Sequence, residues 1–484
     1  MEIYMEANNS EFKFVIDENG YKHTLVKKIG QGGQGAVFST MDENVVVKVL
    51  LDNEGEVLEN VKRYKKFKSD INDVRILNLD KSYKIAKPIS LLKEPYCGYI
   101  MRLLTGMQPL KKLVLTQNNN LKEFYINTGG LRRRLEILIN LSKTLLRLHS
   151  LPIVYADMSL ENVFVSNEVS EKEVWLIDCD NMRYTVDFNN PVYTPGYGAP
   201  EVVKGTGSNN TLSDVYSFAI IAFELLCLIP PFYGRMLTEE SEDDDWEEED
   251  NIYDKAEKGD IPWIDDIEDD RNRTEEGMPR GIILSAKVKE MFQQTLGYNG
   301  RKIPTTRPSM RKWYEVLKNA RNNTIKCSKC GWTYYRNLNQ CPACDSNNKS
   351  LIVKVVDFYN LDNTLKELND EGLIKNIEKN EISKISRRSF SIKTLDLDGE
   401  NQYIFNDDIQ ETLINDEVIK SILIKYDGGF YIKNLMDSEI VIKNKANFSK
   451  LMKNQSINLE SLDGVLFIIK QDSTKIRWIE FKIG

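Results

Sequence analysis

The chain contains no run of eighteen or more apolar residues, the length a helix needs to cross a bilayer, so no membrane span is expected. Its opening segment, MEIYMEANNSEFKF, has no basic stretch leading into an apolar core, and no secretory leader is expected either. Basic residues form no stripe interleaved with aromatics, which removes the usual footprint of a nucleic-acid binder. No internal repeat of solenoid length is present. These absences leave a cytoplasmic protein with no membrane or nucleic-acid partner as the expectation.

What is present is ordinary in bulk: 484 residues, 41% hydrophobic and 29% charged, enough for about two to four globular domains. The formal net charge of −8 is a local matter. Residues 239–250, EESEDDDWEEED, hold ten acids in twelve positions, and the rest of the chain sums to +2. That block is expected to be a solvated, flexible insertion, with a docking site for a basic partner or a metal as the alternative; the acidic insertion as a whole is bounded at 238–276. Of seven cysteines, Cys97, Cys179 and Cys227 stand among apolar residues and are expected as reduced core side chains; the other four form one pattern.

Along the chain, residues 1–110 read as short strands broken by turns, with one helical stretch at about 54–70. From Leu131 the apolar spacing becomes helical: LRRRLEILINLSKTLLRLHS is amphipathic, whereas TLSDVYSFAIIAFELLCLI is apolar almost all round and stops at Pro230-Pro231. A cysteine cluster at 327–344 follows, then a polar stretch expected to be partly helical. Alternating strands such as SILIKYDGGFYIKNL come last, with Asp427-Gly428-Gly429 as a hairpin turn.

Two regions carry chemistry. In IGQGGQGAV, the glycines Gly30, Gly32, Gly33 and Gly35 lie between Ile29 and Val37, where backbone N–H groups can approach phosphate oxygens without a Cβ in the way. A strand follows, not a helix, which argues against a dinucleotide fold. Lys48 stands inside the apolar strand VVVKVL, where it could snorkel from an edge or contact phosphates. In the second role it needs a carboxylate. Glu54, Glu56 and Glu59 are available, and Glu59 is the choice because Val57, Leu58 and Val61 turn that face inward. The second region, VYADMSLENVFVSNEVSEKEVWLIDCDNM, holds Asp157, Asn162 and Asp178: carboxylate, amide and carboxylate in the order that can manage an acceptor hydroxyl and divalent cations.

With GYGAPE, SDVYSFA and RPSMRKW following in order, residues 24 to about 317 resemble a eukaryotic-like protein kinase domain. Within that superfamily the chain is similar to bacterial kinases that end in an Arg-Pro-x-x-x-x-Trp helix followed by a zinc ribbon. The resemblance implies ATP and Mg²⁺ (or Mn²⁺) as cofactors and a protein substrate. It implies Met101 as gatekeeper, with Arg102 to Leu104, Leu103 among them, lining the adenine. Asp157 would orient the acceptor hydroxyl, Asn162 and Asp178 would hold Mg²⁺, and Thr194 would bond the catalytic aspartate as in serine/threonine kinases. Glu201 would pair with Arg307, and Asp214 would anchor the catalytic loop.

Several positions depart from that pattern. Tyr155-Ala156 stands for His-Arg, Ser159 for the usual lysine, and Cys179-Asp180 for Phe-Gly. Losing one preorganised cation costs about 10²–10³ in rate, which would leave turnover measurable from a starting point of about 1–100 s⁻¹. Without the arginine, activity should not depend on a phosphorylated activation segment. Asp180 is expected to be a solvated turn residue, with a second carboxylate beside the metals as the alternative. An active kinase is therefore expected, with a nucleotide-binding pseudokinase and a small-molecule kinase as the competing readings.

The four remaining cysteines, Cys327-x₂-Cys330-x₁₀-Cys341-x₂-Cys344, have the spacing of two knuckles on a hairpin. Ordering about eighteen residues costs ~1.5 kcal/mol each, which Zn²⁺ binding at ~10–16 kcal/mol can offset. Four thiolates leave no open position, so the zinc is expected to be structural. Beyond it, the tail faintly resembles a forkhead-associated domain. The arginine and Ser-x-x-His used by such readers are not evident, and His23 and His149 are the only histidines. A sandwich for protein contacts is the expectation.

The expected architecture is α+β. It comprises an N-terminal extension (1–23), a two-lobed kinase fold (24–322, small lobe to about 105), a zinc ribbon (323–350), a partly helical connector (351–389) and a β-rich interaction domain (390–484).

Overall fold

The computed structural model describes residues 13–32, 35–51, 61–94, 96–114, 120–185, 191–239, 252–360, 385–411, 417–444, 447–470 and 475–484. The chain divides into two compact units. The first holds residues up to Phe124, Glu136–Pro279 and Val288–Tyr314; the second holds Tyr125–Leu135, Arg280–Lys287 and Glu315–Gly484.

In the first unit, strands β1 (Lys13–Ile16), β2 (Lys22–Gly32), β3 (Gly35–Thr40), β4 (Val45–Leu50), β5 (Ser90–Leu91) and β6 (Gly98–Arg102) build one antiparallel sheet, in the order β1-β2-β3-β4-β6-β5. Because β1 pairs along its whole length with β2, residues 13–23 belong to this sheet and are not an extension. Register places Lys48 on β4 between Val37 of β3 and Tyr99 of β6. A Cβ on Gly35 would lie 2.5 Å from the Val49 carbonyl oxygen, so the close approach of β3 to β4 requires glycine there. Helix α1 (Val61–Ile76) buries Tyr64, Phe67, Ile71 and Val74, at spacings of three and four, and exposes Lys65, Lys66 and Lys68. The helix expected at 54–70 is thus described only from residue 61.

The helix Thr211–Cys227 is the apolar axis of this unit. Asn210 caps it, accepting from the N–H groups of Leu212 (2.8 Å) and Ser213 (3.1 Å), while Ser213 Oγ accepts from the Asn210 N–H (2.9 Å). It ends at Leu228 in the left-handed region (φ 55°), just before Pro230. Phe218 and Phe223 meet Phe292, Trp263 and Trp313 edge-on at 5.2–5.5 Å between ring centres, each contact contributing about 0.5–1.5 kcal/mol beyond area burial. Trp263 lies within the bounds of the acidic insertion, past its acidic run. Residues 240–251 lie outside the described residues, but Ile252, Ile261, Trp263, Ile264 and Asn272 are buried and Asp266 pairs with the buried Arg301. These residues after the acidic run pack into the core, while Tyr253 and Ile267 stay exposed.

The second unit contains the cysteine hairpin, Thr324–Lys326 paired with Thr333–Tyr335, and two further sheets. Six strands run in the spatial order Ile385–Asp396, Ser350–Asn360, Lys475–Ile483, Val465–Lys470, Ile440–Asn444, Asn447–Leu451. Four more run Gln402–Phe405, Lys420–Tyr426, Phe430–Asn434, Ser456–Leu459. Alternate residues from both sheets, among them Leu351, Val353, Ile422, Ile432, Phe467 and Ile479, share one apolar core. Ser350–Asn360 was expected as the start of a partly helical connector; it is a strand paired on both sides, and residues 385–389 are strand as well. Residues 361–384 lie outside the described residues.

The expected domain boundary at 322 is not a unit boundary. Tyr125 stacks on Trp332 at 5.6 Å, and Arg132 donates to Thr324 and to both oxygens of Asp396. These contacts tie the start of the helix Gly130–Ser150 to the hairpin and the six-stranded sheet.

Candidate active site

Lys48 is 4% exposed, and its ammonium touches two carboxylates 130 and 132 residues further on: Asp178 and, at 2.7 Å, Asp180 Oδ2. Burial alone would lower the lysine pKa; the charges of Asp180 and then Asp178 outweigh it and raise it. Tyr99, fully buried, presents its ring 5.7 Å from the same nitrogen. The carboxylate expected from the helix does not enter this description: Glu54, Glu56 and Glu59 lie outside the described residues. Asp180, expected as a solvated turn residue, is instead mostly buried, its side chain 11% exposed, because the turn Cys179–Asn181 folds inward.

Around Asp157 the bonds form a second cluster. Thr194 Oγ1 donates to Asp157 Oδ1 (2.6 Å), and Asn162 Nδ2 donates to the Asp157 carbonyl (2.9 Å), leaving the Asn162 amide oxygen for another ligand. Burial chiefly, with the charge of Asp178, raises the Asp157 pKa, and the Thr194 hydrogen bond opposes the rise. Asp214 accepts from the backbone N–H groups of Tyr155 (2.9 Å) and Ala156 (3.0 Å) and faces His149 Nε2 at 3.1 Å. Ala156 (φ 74°) and Asp178 (φ 53°) both hold left-handed backbone, a cost of order 1–3 kcal/mol each that functional sites commonly carry. Asp178 keeps 34% of its side chain exposed and Asn162 is half-buried, so two oxygen donors with water access suit a hard, six-coordinate cation.

Arg307, with no exposed side-chain surface, makes two parallel 2.7 Å bonds to Glu201 and donates also to the carbonyls of Gly300 and Leu212. Met101 is buried among Tyr64, Phe67 and Tyr99, and the Leu103 N–H is already given to the Asn44 carbonyl (2.8 Å). Leu103 can therefore offer an adenine only its carbonyl. In the glycine turn, Ile29 is exposed and Val37 half-buried; Gly30, Gly32 and Gly35 lie on the paired strands, and Gly33 lies outside the described residues.

In the second unit, the Sγ atoms of Cys327, Cys330, Cys341 and Cys344 all lie within 4.8 Å of one another, with 3.6 Å for Cys327–Cys344 and for Cys330–Cys341. Four thiolates at 2.3 Å from a tetrahedral ion would stand about 3.8 Å apart, so the cluster fits such an ion. Burial disfavours the Cys327 thiolate, but Ser346 Oγ (3.0 Å) and the N–H groups of Cys330 and Lys329 outweigh it and bring that pKa down to about 5. Cys97, Cys179 and Cys227 are buried free thiols.

Sequence reasoning missed two contributors. Asn209 bonds the Ala156 carbonyl, both backbone groups of Val192 and Arg183, joining the catalytic loop to the segment before Thr194. Tyr155 donates its hydroxyl to the Ile177 carbonyl. A polar residue just before a capped helix, and an aromatic where the pattern has histidine, were the available signals.

The arrangement is a lysine on a glycine-turn sheet facing a carboxylate–amide–carboxylate set. The protein kinase domain family matches residues 23–316, and the chain belongs to that family. Similar curated proteins include "Probable serine/threonine-protein kinase 2" of Plasmodium falciparum (isolate K1 / Thailand), 27% identical over 46% of this chain and 41% of that protein. "Calcium-dependent protein kinase 5" of P. falciparum (isolate 3D7) is 22% identical over 84% of this chain and 60% of that protein. "Ribosomal protein S6 kinase alpha-3" of Mus musculus is 27% identical over 44% and 27% respectively. The chain thus spans less than two thirds of each of these relatives.

Proposed function

We propose that this chain is an ATP- and Mg²⁺-dependent serine/threonine protein kinase. The observation that carries the reading is the pairing of Thr194 with Asp157 beside Asn162, while Lys48 reaches Asp178 from the sheet. Lys48, its glycine turn and the strand edge at Met101–Leu103 bind and orient the nucleotide. Asn162 and Asp178 hold the cation, which when bound neutralises charge on the phosphates. Asp157 accepts the proton of the acceptor hydroxyl as that oxygen takes the γ-phosphoryl group and ADP departs. Thr194 keeps the Asp157 carboxylate aimed, and its bond supports a serine or threonine acceptor. The Glu201–Arg307 pair supports a protein acceptor over a small alcohol, because it fixes the segment that would carry a polypeptide.

The cysteine cluster would hold a structural Zn²⁺, and with the two-sheet tail it offers a surface for protein partners; the cytoplasm suits its reduced thiols. Transfer of labelled γ-phosphate to a generic basic protein tests the kinase reading. Asp157→Asn should lower it about 10²–10⁴-fold, the worth of a positioned base. ATP binding without turnover in the wild type would leave a pseudokinase scaffold, and a metabolite alcohol outcompeting every protein would leave a small-molecule kinase.

A further inference from the structure

The helix that runs beside Lys48 offers it no carboxylate in its described length. Val61–Ile76 contains no glutamate, and its two aspartates, Asp70 and Asp73, are exposed. The face it buries is aromatic and aliphatic: Tyr64, Phe67 and Ile71 pack with Tyr99 and Met101, and the Phe67 ring stacks on Tyr99 at 6.5 Å. The turn Cys179–Asn181 lies against this same helix. From that turn Asp180 reaches Lys48 at 2.7 Å.

The two carboxylates on Lys48 are not equivalent. Asp178 has 34% of its side chain exposed and can turn to a cation; Asp180 has 11% and is enclosed with the lysine. An ammonium has three donors, so Lys48 can keep Asp180 and still contact phosphate oxygens. A glycine at position 180 could supply nothing of the kind.

We propose that Asp180 is the positioning residue that holds Lys48 in the nucleotide site while Asp178 serves the metal. The proposal rests on the kinase reading for its catalytic consequence and on nucleotide binding alone for its test. ATP and adenosine affinities are measured by calorimetry, with Mg²⁺ and in EDTA, alongside KM and kcat, for wild type, Asp180→Asn and Asp180→Glu.

Asp180→Asn should weaken ATP about tenfold or more, the loss of one charge-assisted hydrogen bond. It should leave adenosine affinity unchanged, which also reports that the variant is folded. KM for ATP should rise more than kcat falls, and Asp180→Glu should recover part of the loss. Unchanged ATP affinity in Asp180→Asn would overturn the proposal. So would a shift in Mg²⁺ half-saturation with ATP affinity intact, which would make Asp180 a metal ligand. A loss seen on Glu59→Gln but not on Asp180→Asn would overturn it too. Asp180-dependent ATP binding in a wild type that never transfers phosphate would support the anchor and sink only the catalytic reading.

Discussion

Truncation of Glu201 to alanine should destabilise the first unit severely, for a reason that can be worked from Arg307. That guanidinium has no exposed surface and four acceptors: two carboxylate oxygens of Glu201 at 2.7 Å, the Gly300 carbonyl at 2.8 Å and the Leu212 carbonyl at 3.1 Å. Glu201→Ala leaves the charge buried with only the carbonyls and the Tyr216 ring, 4.8 Å away. Removing one partner of a buried ion pair costs about 3–5 kcal/mol, and the surviving carbonyls favour the lower end. At ~2–4 °C per kcal/mol for a unit of this size, Tm should fall by on the order of 10 °C. Thermal unfolding followed by circular dichroism measures the shift. The double variant Glu201→Leu/Arg307→Met, apolar and of similar volume, should lose less than Glu201→Ala alone, since it strands no charge. A Tm shift below about 2 °C for Glu201→Ala, or a double variant that loses the sum of the two single substitutions, would refute this account of the pair.

Two further outcomes follow from buried groups elsewhere. Purified protein should carry one zinc per chain by mass spectrometry, and Cys341→Ser, which removes a fully buried thiol, should release it and unfold the hairpin, since structural zinc contributes ~10–16 kcal/mol; metal-free protein with an intact hairpin would contradict the site. Glu224, buried in the central helix and accepting from the Tyr197 hydroxyl at 3.1 Å, has its pKa raised by desolvation to about 7 from 4.5. The folded state therefore binds the extra proton between those values, so stability falls as pH rises from about 4.5 through 7, by about 3 kcal/mol at most. Glu224→Gln should flatten that slope and be the more stable protein at pH 8; denaturant midpoints at pH 5 and pH 8 that move together in both proteins would sink the assignment.

Much of the site was legible because its parts are short and local. Asp157 and Asn162 sit on one loop, Lys48 on one strand, and each cysteine pair on one knuckle, so the order of short motifs along the chain brings them out as candidates. The contact of Lys48 with Asp180 was not legible. Asp180 lies 132 residues away, at a position where the pattern has glycine, and the inward turn of Cys179–Asn181 makes it a partner beside Asp178. The strand Ser350–Asn360 was misread for a related reason. Its inward Leu351, Val353 and Val355 become a central strand by pairing with Lys475–Ile483, more than a hundred residues on, while the adjoining polar sequence suggested a connector. Residues 252–276 were bounded together with the acidic run beside them, although Trp263 carries enough apolar area to be drawn into the core.

The departures from the kinase pattern share a location. Tyr155, Ala156, Ser159 and Cys179 are all 5% exposed or less, whereas Asp178 keeps a third of its side chain toward solvent. Tyr155 spends its hydroxyl on the Ile177 carbonyl, Cys179 Sγ lies 3.4 Å from the Ala86 carbonyl, and the backbone N–H groups of Tyr155 and Ala156 still reach Asp214. The substitutions thus rebuild the floor beneath the reacting groups and leave the carboxylates and amide above it in place. A floor that bonds the backbone before Asp178 and the side chain after it restrains the segment that a Phe-Gly pair would let swing. Asp180 bonds Lys48 from the same turn, so the substitution that removes a glycine also sets a carboxylate against the lysine.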